Sequence, residues 1–235
     1  MKKTLLTVTM LTVALTPLLQ AQRTIRIIFG TTTGVRNDHG GNSNTNSLLS
    51  TKFGQVRDSN DNSSTGINWT RPSHFRATYN SRNQTAATQL NRLRTGSQLR
   101  GFRNRRDDTN SDIMQLYCDW SNLGTAGLGT QPGAFSVVRN SFLSSLNNRN
   151  FGGRVHIHEV GHNMNATHGQ GHCYANNSRR TLMIPTTESC GAANGNYRHV
   201  FSSSTRSFQG RRTGNSNNNN RSRIRSRRNA AANQR

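Results

Sequence analysis

The stretch HEVGHNMNATH, residues 158–168, holds residue types at the spacing of a candidate metal site. Residues four apart on a helix lie one turn apart on the same face, so His158 and His162 can present two imidazoles to one cation. Glu159 follows the first histidine and would stand beside the metal, where a carboxylate can take a proton from an activated water. The spacing therefore predicts hydrolytic chemistry, with Zn2+ as the cofactor and Glu159 as the catalytic group.

A catalytic zinc site needs three protein ligands, and His168 is the candidate for the third. His168 lies six residues beyond His162, too far round a continuous helix to reach the same ion. The helix must therefore stop, and Asn165 lies where the chain should turn back, since asparagine tolerates left-handed backbone angles. His172, in the segment GQGHC, is an alternative third ligand. His156 is expected to support the site or to lie at the surface.

An ordinary helix with surface histidines is the competing interpretation of this stretch. The chain has only two glutamates in 235 residues. A histidine-glutamate motif of this length is therefore poorly explained by chance.

The first 21 residues have the pattern of a secretory signal peptide, with two lysines, an apolar run and small or polar residues at the end. A membrane anchor is the alternative, but the run is short for a span of roughly 20 residues. We therefore expect a secreted protein, extracellular or periplasmic, with no stable membrane insertion. Residues 22–235 are expected to form one catalytic domain.

The formal net charge is +22, from 31 lysines and arginines against 9 acidic residues. A surface this basic attracts acidic substrates, nucleic acid or anionic polymers. The segment RSRIRSRR, residues 221–228, could neutralise phosphates in the same way. It has no interleaved aromatic residues for base stacking, so nucleic acid is not the expected partner.

The composition predicts a thin hydrophobic core. Leu, Ile, Val and Phe together number 43 of 235 residues, which is below the roughly 20% at which a high net charge begins to favour disorder. Such a core needs help from a metal or a disulfide. Three cysteines allow three pairings in an oxidising compartment, or three reduced thiols. Because Cys173 and Cys190 bracket a short loop, we favour that pair and leave Cys118 free.

Several segments have the patterns of strands and helices that would position the motif. Pro72 should reduce part of one strand to an edge or a bulge. The glycine-rich stretch 121–130 predicts a turn leading into an exposed strand. The predicted strands are 24–29, 67–79, 112–120 and 134–138, and the predicted helices are 46–56 and 88–102, the latter with Leu90, Leu93 and Leu99 facing inward.

The stretch HEVGHNMNATH resembles the metzincin signature H-E-x-x-H-x-x-G-x-x-H of zinc endopeptidases, with Asn165 at the glycine position. TLMIP, residues 181–185, resembles the Met-turn of that clan, which makes Met183 the counterpart of the methionine beneath the zinc. Within the clan the chain is most similar to the reprolysin-like bacterial branch that includes peptidyl-Asp metalloendopeptidase. Gly169 departs from this branch, whose members commonly have an acidic residue there. Further similarity lies in TIRIIFGTTTGV, DDTNSDIMQLY, AFSVV and the end segment 200–225.

The resemblance implies an α+β fold, in which a metzincin-like mixed β-sheet and a site helix are followed by a smaller, irregular C-terminal lobe. The upper lobe would cover about 22–162 and the lower lobe about 163–235. AGLGT, residues 126–130, would lie near the edge of the sheet, where a protein or peptide substrate adds through main-chain hydrogen bonds.

The function implied by the resemblance is that of a secreted, monomeric, zinc-dependent endopeptidase that cleaves peptide bonds with a metal-activated water. A preference for acidic residues near the cleavage site is a further expectation, motivated by the net charge. The alternatives are a catalytically impaired zinc-binding protein and a basic polyanion-binding protein.

Overall fold

The computed structural model of the chain describes residues 22–120, 124–146, 151–176, 179–185, 190 and 196–234. The signal peptide predicted over residues 1–21 lies outside the described residues. In the part of the chain that is described, no helix has both the length and the apolarity needed to cross a membrane.

The described residues form helices and strands in mixed order. The helices are α1 (Thr33–Asp38), α2 (Gly41–Ser63), α3 (Ala86–Thr95), α4 (Arg100–Asp108), α5 (Phe151–Asn163) and α6 (Asn220–Ala231). The strands are β1 (Arg23–Thr31), β2 (Ile67–Thr70), β3 (His74–Arg76), β4 (Ile113–Cys118), β5 (Gly127–Gly129), β6 (Phe135–Arg139), β7 (Cys173–Tyr174), β8 (Arg179–Arg180), β9 (Ser207–Phe208) and β10 (Arg211–Arg212).

The main sheet has the order β2-β1-β4-β6-β5, and β3 also pairs with β1. All of its strand pairs are parallel except β5 with β6, which is antiparallel. The sheet is therefore mixed, and β5 is its last strand on the side of the histidine motif. The predicted α+β fold with a mixed sheet and a site helix is confirmed.

The sheet is covered on both faces, which explains why every residue of β4 is buried. Successive residues of a strand point to opposite faces, and those of β1 and β4 divide accordingly between two apolar clusters. One cluster joins the sheet to α2, α5 and α6 through Ile25, Ile27, Ile113, Leu49, Val56, Val155, Ile157, Val160 and Ile224. The other joins it to α3 and α4 through Ile28, Met114, Leu116, Leu90, Leu93 and Phe102.

Two predicted elements are interrupted in the structure. The strand predicted over 67–79 is split into β2 and β3, because the residues around Pro72 cannot continue the pairing with β1. The helix predicted over 88–102 is divided at Gly96 into α3, a short 3-10 helix and α4. Leu90, Leu93 and Leu99 are buried, as predicted.

The chain after α5 contains little regular structure apart from α6. The strands β7 and β8 form one two-residue antiparallel pair, and β9 and β10 form another. This agrees with the irregular C-terminal region that was expected. The proposed boundary between two lobes near residue 162 stays a prediction.

Candidate metal centre

Helix α5 carries the first two histidines and ends at Asn163. This end lets the chain turn back so that the third histidine can reach the same site. The amide of Ala166 donates to the carbonyl of Gly161 at 2.8 Å, and the amide of Asn165 donates to that of His162 at 2.8 Å. This pair of bonds is the Schellman motif, which places a left-handed residue just beyond the helix. Asn165 is that residue, with φ of 69°. The turn predicted at Asn165 is therefore confirmed, and it directs the chain back toward the helix.

The three histidine rings converge on one point. The Nε2 atom of His168 lies 2.8 Å from that of His158 and 3.2 Å from that of His162. One ligand atom from each ring lies within 4.8 Å of the others. Ligand atoms of a tetrahedral zinc site with Zn–N bonds of about 2.0–2.1 Å lie roughly 3.3 Å apart. The observed spacing fits such an ion.

The hydrogen bonds of the rings show why a cation is needed between them. His158 Nδ1 lies 2.8 Å from the carbonyl oxygen of Leu182, and His162 Nδ1 lies 3.0 Å from that of Ala166. A carbonyl oxygen only accepts, so each Nδ1 carries the proton and each Nε2 presents a lone pair. Lone pairs that face each other at this distance repel unless a cation lies among them. The donor set therefore fits zinc.

Burial favours the neutral form of the His158 and His162 imidazoles, which is the form that binds a metal. Burial lowers the pKa of His158 well below its ordinary value, and the charge of Arg154 lowers it further. Burial and the neighbouring His168 lower the pKa of His162 to about 4. His168 itself is exposed at the surface. Its position therefore depends on the turn that carries it.

Glu159 lies in the cleft beside the histidines, with its side chain against strand β5. A Cβ atom added at Gly127 would lie 2.7 Å from Glu159 Oε1, and one added at Gly129 would lie 2.8 Å from the Glu159 carbonyl oxygen. The two glycines therefore allow the edge strand to approach the helix closely. Burial raises the pKa of Glu159 to about 8, against the opposing effect of Arg154.

The cleft around the site has a volume of about 380 Å³. Its described lining combines the glycine-rich edge strand on one side with the site helix on the other. Leu128, Val155 and Pro185 supply the apolar part of the wall, and Glu159 and the three histidines supply the polar part.

The segment that resembles a Met-turn packs directly against the site helix. Met183 is fully buried, and its Sδ atom would lie 2.7 Å from a Cβ atom added at Gly161. Arg154 binds this segment through Nη1 to the carbonyl of Leu182 and through Nη2 to that of Ile184 at 3.0 Å. No pattern in the sequence indicates this role of Arg154, because its partners lie about 30 residues away along the chain.

The remaining histidines lie apart from this centre. His156 is buried and its Nε2 lies 3.2 Å from the carbonyl oxygen of Lys52, so it supports the packing of α2 on α5. His172, the alternative third ligand, is half-buried in the loop before β7. His168, and not His172, lies with His158 and His162.

The cysteines are arranged as the loop length favoured. Cys173 and Cys190 form a disulfide with a Cα–Cα distance of 5.6 Å. Cys118 is a free thiol at the end of β4, and burial raises its pKa well above the ordinary value. The disulfide lies in the C-terminal region, near the buried Ile184 and Tyr197.

The fold and this centre agree with what comparisons with known proteins show. The family described as metallo-peptidase family M12B, Reprolysin-like, matches residues 54–169, just under half of the chain, and the matched range ends one residue after His168. No curated protein matches the chain in sequence. The histidine triad and the family match together support a metzincin-like zinc metallopeptidase.

Solved structures add a likeness of fold. A chain from a structure described as a chaperone–substrate complex matches with a TM-score of 0.66 and 14% identity, over 91% of this chain and 36% of that one. The chain thus spans about a third of that relative, and at this identity the likeness concerns the fold alone. Archaemetzincin from Methanopyrus kandleri matches with a TM-score of 0.43 and 15% identity, over 75% of this chain and 88% of that one.

Proposed function

We propose that this protein is a secreted, zinc-dependent endopeptidase that binds an extended peptide along β5 and cleaves it with Glu159 as the proton carrier. The observation that carries the proposal is the position of the Glu159 carboxylate, which lies against the edge strand in the same cleft that the three histidines line. When bound, zinc supplies Lewis-acid activation of water and of the scissile carbonyl. The chain itself has to bind and orient the peptide and to move one proton.

The backbone of β5 has the geometry to bind the peptide. The carbonyl of Ala126 accepts from the Arg139 amide at 3.0 Å, and the amide of Thr130 donates to the Phe135 carbonyl at 2.9 Å. In an antiparallel pair every second residue bonds to the neighbouring strand, and the residues between them point their amides and carbonyls away. Gly127 and Gly129 are those intervening residues. Their polar groups supply a row of donors and acceptors for a peptide that adds at this edge.

Glu159 then moves the proton. Its carboxylate accepts a proton from the attacking water at one oxygen and later donates it to the nitrogen of the leaving amine. Arg154 and the Met-turn segment keep the helix that carries it in place. Met183 forms the floor of the site and takes no part in the proton transfer.

The test of this role is Glu159→Gln, which preserves the shape of the side chain and removes the proton acceptor. We expect bound zinc to be retained while kcat/KM on a casein-derived peptide falls by about 10²- to 10⁴-fold. Asp108→Asn, at an exposed carboxylate outside the cleft, is the matched control and should leave the rate unchanged. A fully active Glu159→Gln enzyme would exclude this mechanism.

A preference for acidic residues near the cleavage site is the finer part of the proposal. Neither lysine nor arginine occurs among the described residues that line the cleft, so the support comes from the field of a chain with net charge +22. Such a preference should be strong in a peptide-library profile at low salt and weaken as salt screens the field. A profile without acidic preference at low salt would contradict it.

Export is supported by the signal-peptide pattern of residues 1–21. Expression in a bacterial host should place the protein outside the cytoplasm with a new N-terminus close to residue 22, measured by mass spectrometry of the intact chain. Recovery of the full-length chain in the cytoplasm would contradict this part of the proposal.

A further inference from the structure

The turn that carries His168 is held from outside by the asparagine run and the first turn of α6. We propose that Asn218, Asn219, Asn220 and Arg223, together called the asparagine clamp, position the third zinc ligand. The inference rests on the proposed zinc site and goes beyond it, because it assigns a role to the asparagine run 217–220 and to the first turn of α6.

Asn220 makes the most direct contact. Its side chain is fully buried, its Oδ1 accepts from the Thr167 amide at 2.7 Å, and its Nδ2 donates to the Thr167 carbonyl at 3.0 Å. One primary amide thus binds both backbone groups of the residue before His168. These two bonds fix the orientation of the peptide units on both sides of Thr167, and with them the direction in which His168 leaves the backbone.

Arg223 holds the other end of the same turn. Its Nε donates to the Asn165 carbonyl at 2.7 Å, and its Nη2 donates to Asn165 Oδ1 at 3.0 Å. Asn165 occupies the position where the metzincin signature has glycine, and it adopts the left-handed conformation with φ of 69°. A glycine would offer Arg223 only the carbonyl oxygen. The asparagine side chain supplies a second acceptor, so this departure from the signature gives the clamp an additional bond.

The residues after His168 are bound in the same manner. Asn218 Nδ2 donates to the Gly171 carbonyl at 2.7 Å, and the amide of Asn219 donates to Gln170 Oε1 at 3.3 Å. The hydroxyl of Ser202 donates to the Gln170 carbonyl. The chain is therefore bound on both sides of His168, whose side chain is exposed. Because ligand geometry has to be maintained within a fraction of an ångström, such support contributes directly to metal affinity.

A merely structural role in folding the C-terminal region is the competing explanation. It predicts that loss of the clamp lowers the stability of the zinc-free and zinc-loaded protein alike. A positioning role predicts that zinc affinity falls beyond any change in the zinc-free protein. The two explanations are therefore separated by measuring zinc affinity and zinc-free stability on the same variants.

The experiment uses the full exported chain and the variants Asn220→Ala and Arg223→Met. The matched controls are Asn217→Ala, an exposed position in the same asparagine run, and Arg227→Met, whose guanidinium binds Gln234 instead of the turn. Zinc affinity is measured by competition with a chromogenic chelator. We expect the Kd for zinc to rise by about 10- to 100-fold in Asn220→Ala and Arg223→Met, and the controls to stay close to the wild type.

Asn220→Asp provides a second test, because it retains the acceptor for the Thr167 amide and places a carboxylate oxygen against the Thr167 carbonyl oxygen in a buried position. The repulsion between these oxygens should raise its zinc Kd at least as far as in Asn220→Ala. Hydrogen exchange of the Thr167 amide should accelerate in Asn220→Ala and remain slow in Asn217→Ala. Both readouts are independent of peptide hydrolysis.

The clamp is excluded if Asn220→Ala and Arg223→Met bind zinc as tightly as their controls, or if their zinc affinity falls only as far as the loss of zinc-free stability explains. Arg223→Met keeps the measurement decisive if Asn220→Ala does not fold, because Arg223 is only partly buried. A wild-type protein that binds zinc and cleaves no peptide would contradict the proposed function and leave the clamp intact. A wild-type protein that binds no zinc would overturn both.

Discussion

His158 and His162 project from a regular helix that packs on a central sheet, whereas His168 projects from a short turn held by side-chain amides. On the helix side, residues 153–161 of α5 are all buried, and Val155, Ile157 and Val160 pack in the apolar cluster that joins the helix to the strands. On the turn side, the bonds that define the geometry come from individual polar side chains. One metal centre thus combines two ways of fixing a ligand.

A chain so poor in large apolar residues can build this site because its two sides are stabilised by different kinds of residue. The apolar residues are concentrated in the sheet and in the helices that cover it, where they form the buried core. The C-terminal region uses asparagine and arginine side chains that bond to the backbone over long sequence distances. Such bonds each contribute about 1 kcal/mol net, so this region should depend more strongly on the metal than the sheet does.

Removal of zinc should show this difference most clearly. Zinc at about 100 times its Kd contributes about 2.7 kcal/mol, which corresponds to about 100-fold in a local opening equilibrium. We expect a chelator to raise hydrogen exchange at residues 165–171 by at least about 100-fold, and to change exchange in β1 and β4 far less. Exchange measured by mass spectrometry at peptide resolution would check this. A uniform rise across the sheet and the turn would show that the two sides are one cooperative unit.

Acidification should weaken the C-terminal region through His199. Burial, together with the charges of Lys52 and Arg154, lowers the pKa of His199 from 6.5 to about 4. Between these two values the unfolded chain binds a proton that the folded chain does not. The free energy of unfolding should therefore fall by up to about 3 kcal/mol as the pH drops from 6.5 to 4.

The measurement is chemical denaturation across this pH range in the presence of a chelator, for the wild type and for His199→Gln. The variant cannot acquire the charge, so its stability should change less steeply with pH. The two pH profiles running parallel would show that His199 contributes nothing to acid sensitivity.

The regular side of the centre was largely predictable from the sequence. The i, i+4 spacing of His158 and His162 placed them on one helix face, and the β-branched run 24–29 and the apolar run in 112–120 became β1 and β4. The first inference uses the helical period and the other two use runs of β-branched or apolar residues, and a short window of sequence reveals both kinds of pattern. The predicted strand is interrupted near Pro72 and the predicted helix at Gly96, but the pieces on either side are still strands and helices, respectively.

The irregular side was predictable only at Asn165 and the cysteine loop. The bonds from Asn220 to Thr167 and from Arg223 to Asn165 join residues more than 50 positions apart. No periodic pattern marks such a pair, and an asparagine run has the composition of a flexible tail. The bonds from Arg154 to Leu182 and Ile184 are likewise marked by no periodic pattern.

The junction between the two sides should be sensitive to volume at Gly161. A Cβ atom there would lie 2.7 Å from Met183 Sδ and 2.9 Å from Phe201 Cε1, so Gly161→Ala forces the Met-turn away from the helix. We expect a loss of about 1–3 kcal/mol in the free energy of unfolding. Gly54→Ala, in the interior of α2 with open space at its Cβ, should instead stabilise the protein by about 0.5–1 kcal/mol.

Thermal or chemical denaturation of both glycine variants would measure this contrast. If both variants raised the free energy of unfolding by the same amount, the C-terminal region would be able to move away from α5 without loss of stability. The packing of the two sides on each other would then contribute little to stability, and zinc would be their main connection.

The smallest expected effect comes from removing the same kind of helix cap on each side. Thr85 caps α3 by accepting from the Thr88 amide at 3.1 Å, and Asn219 caps α6 by accepting from the Ser222 amide at 3.2 Å. Replacing either residue by alanine should lower the free energy of unfolding by about 1 kcal/mol. Because α6 also carries the clamp that holds the His168 turn, only Asn219→Ala should in addition raise the zinc Kd, by less than Asn220→Ala does. If Thr85→Ala raised the zinc Kd equally, zinc affinity would simply follow global stability. The side-chain amides that hold the His168 turn would then make no separate contribution to zinc binding.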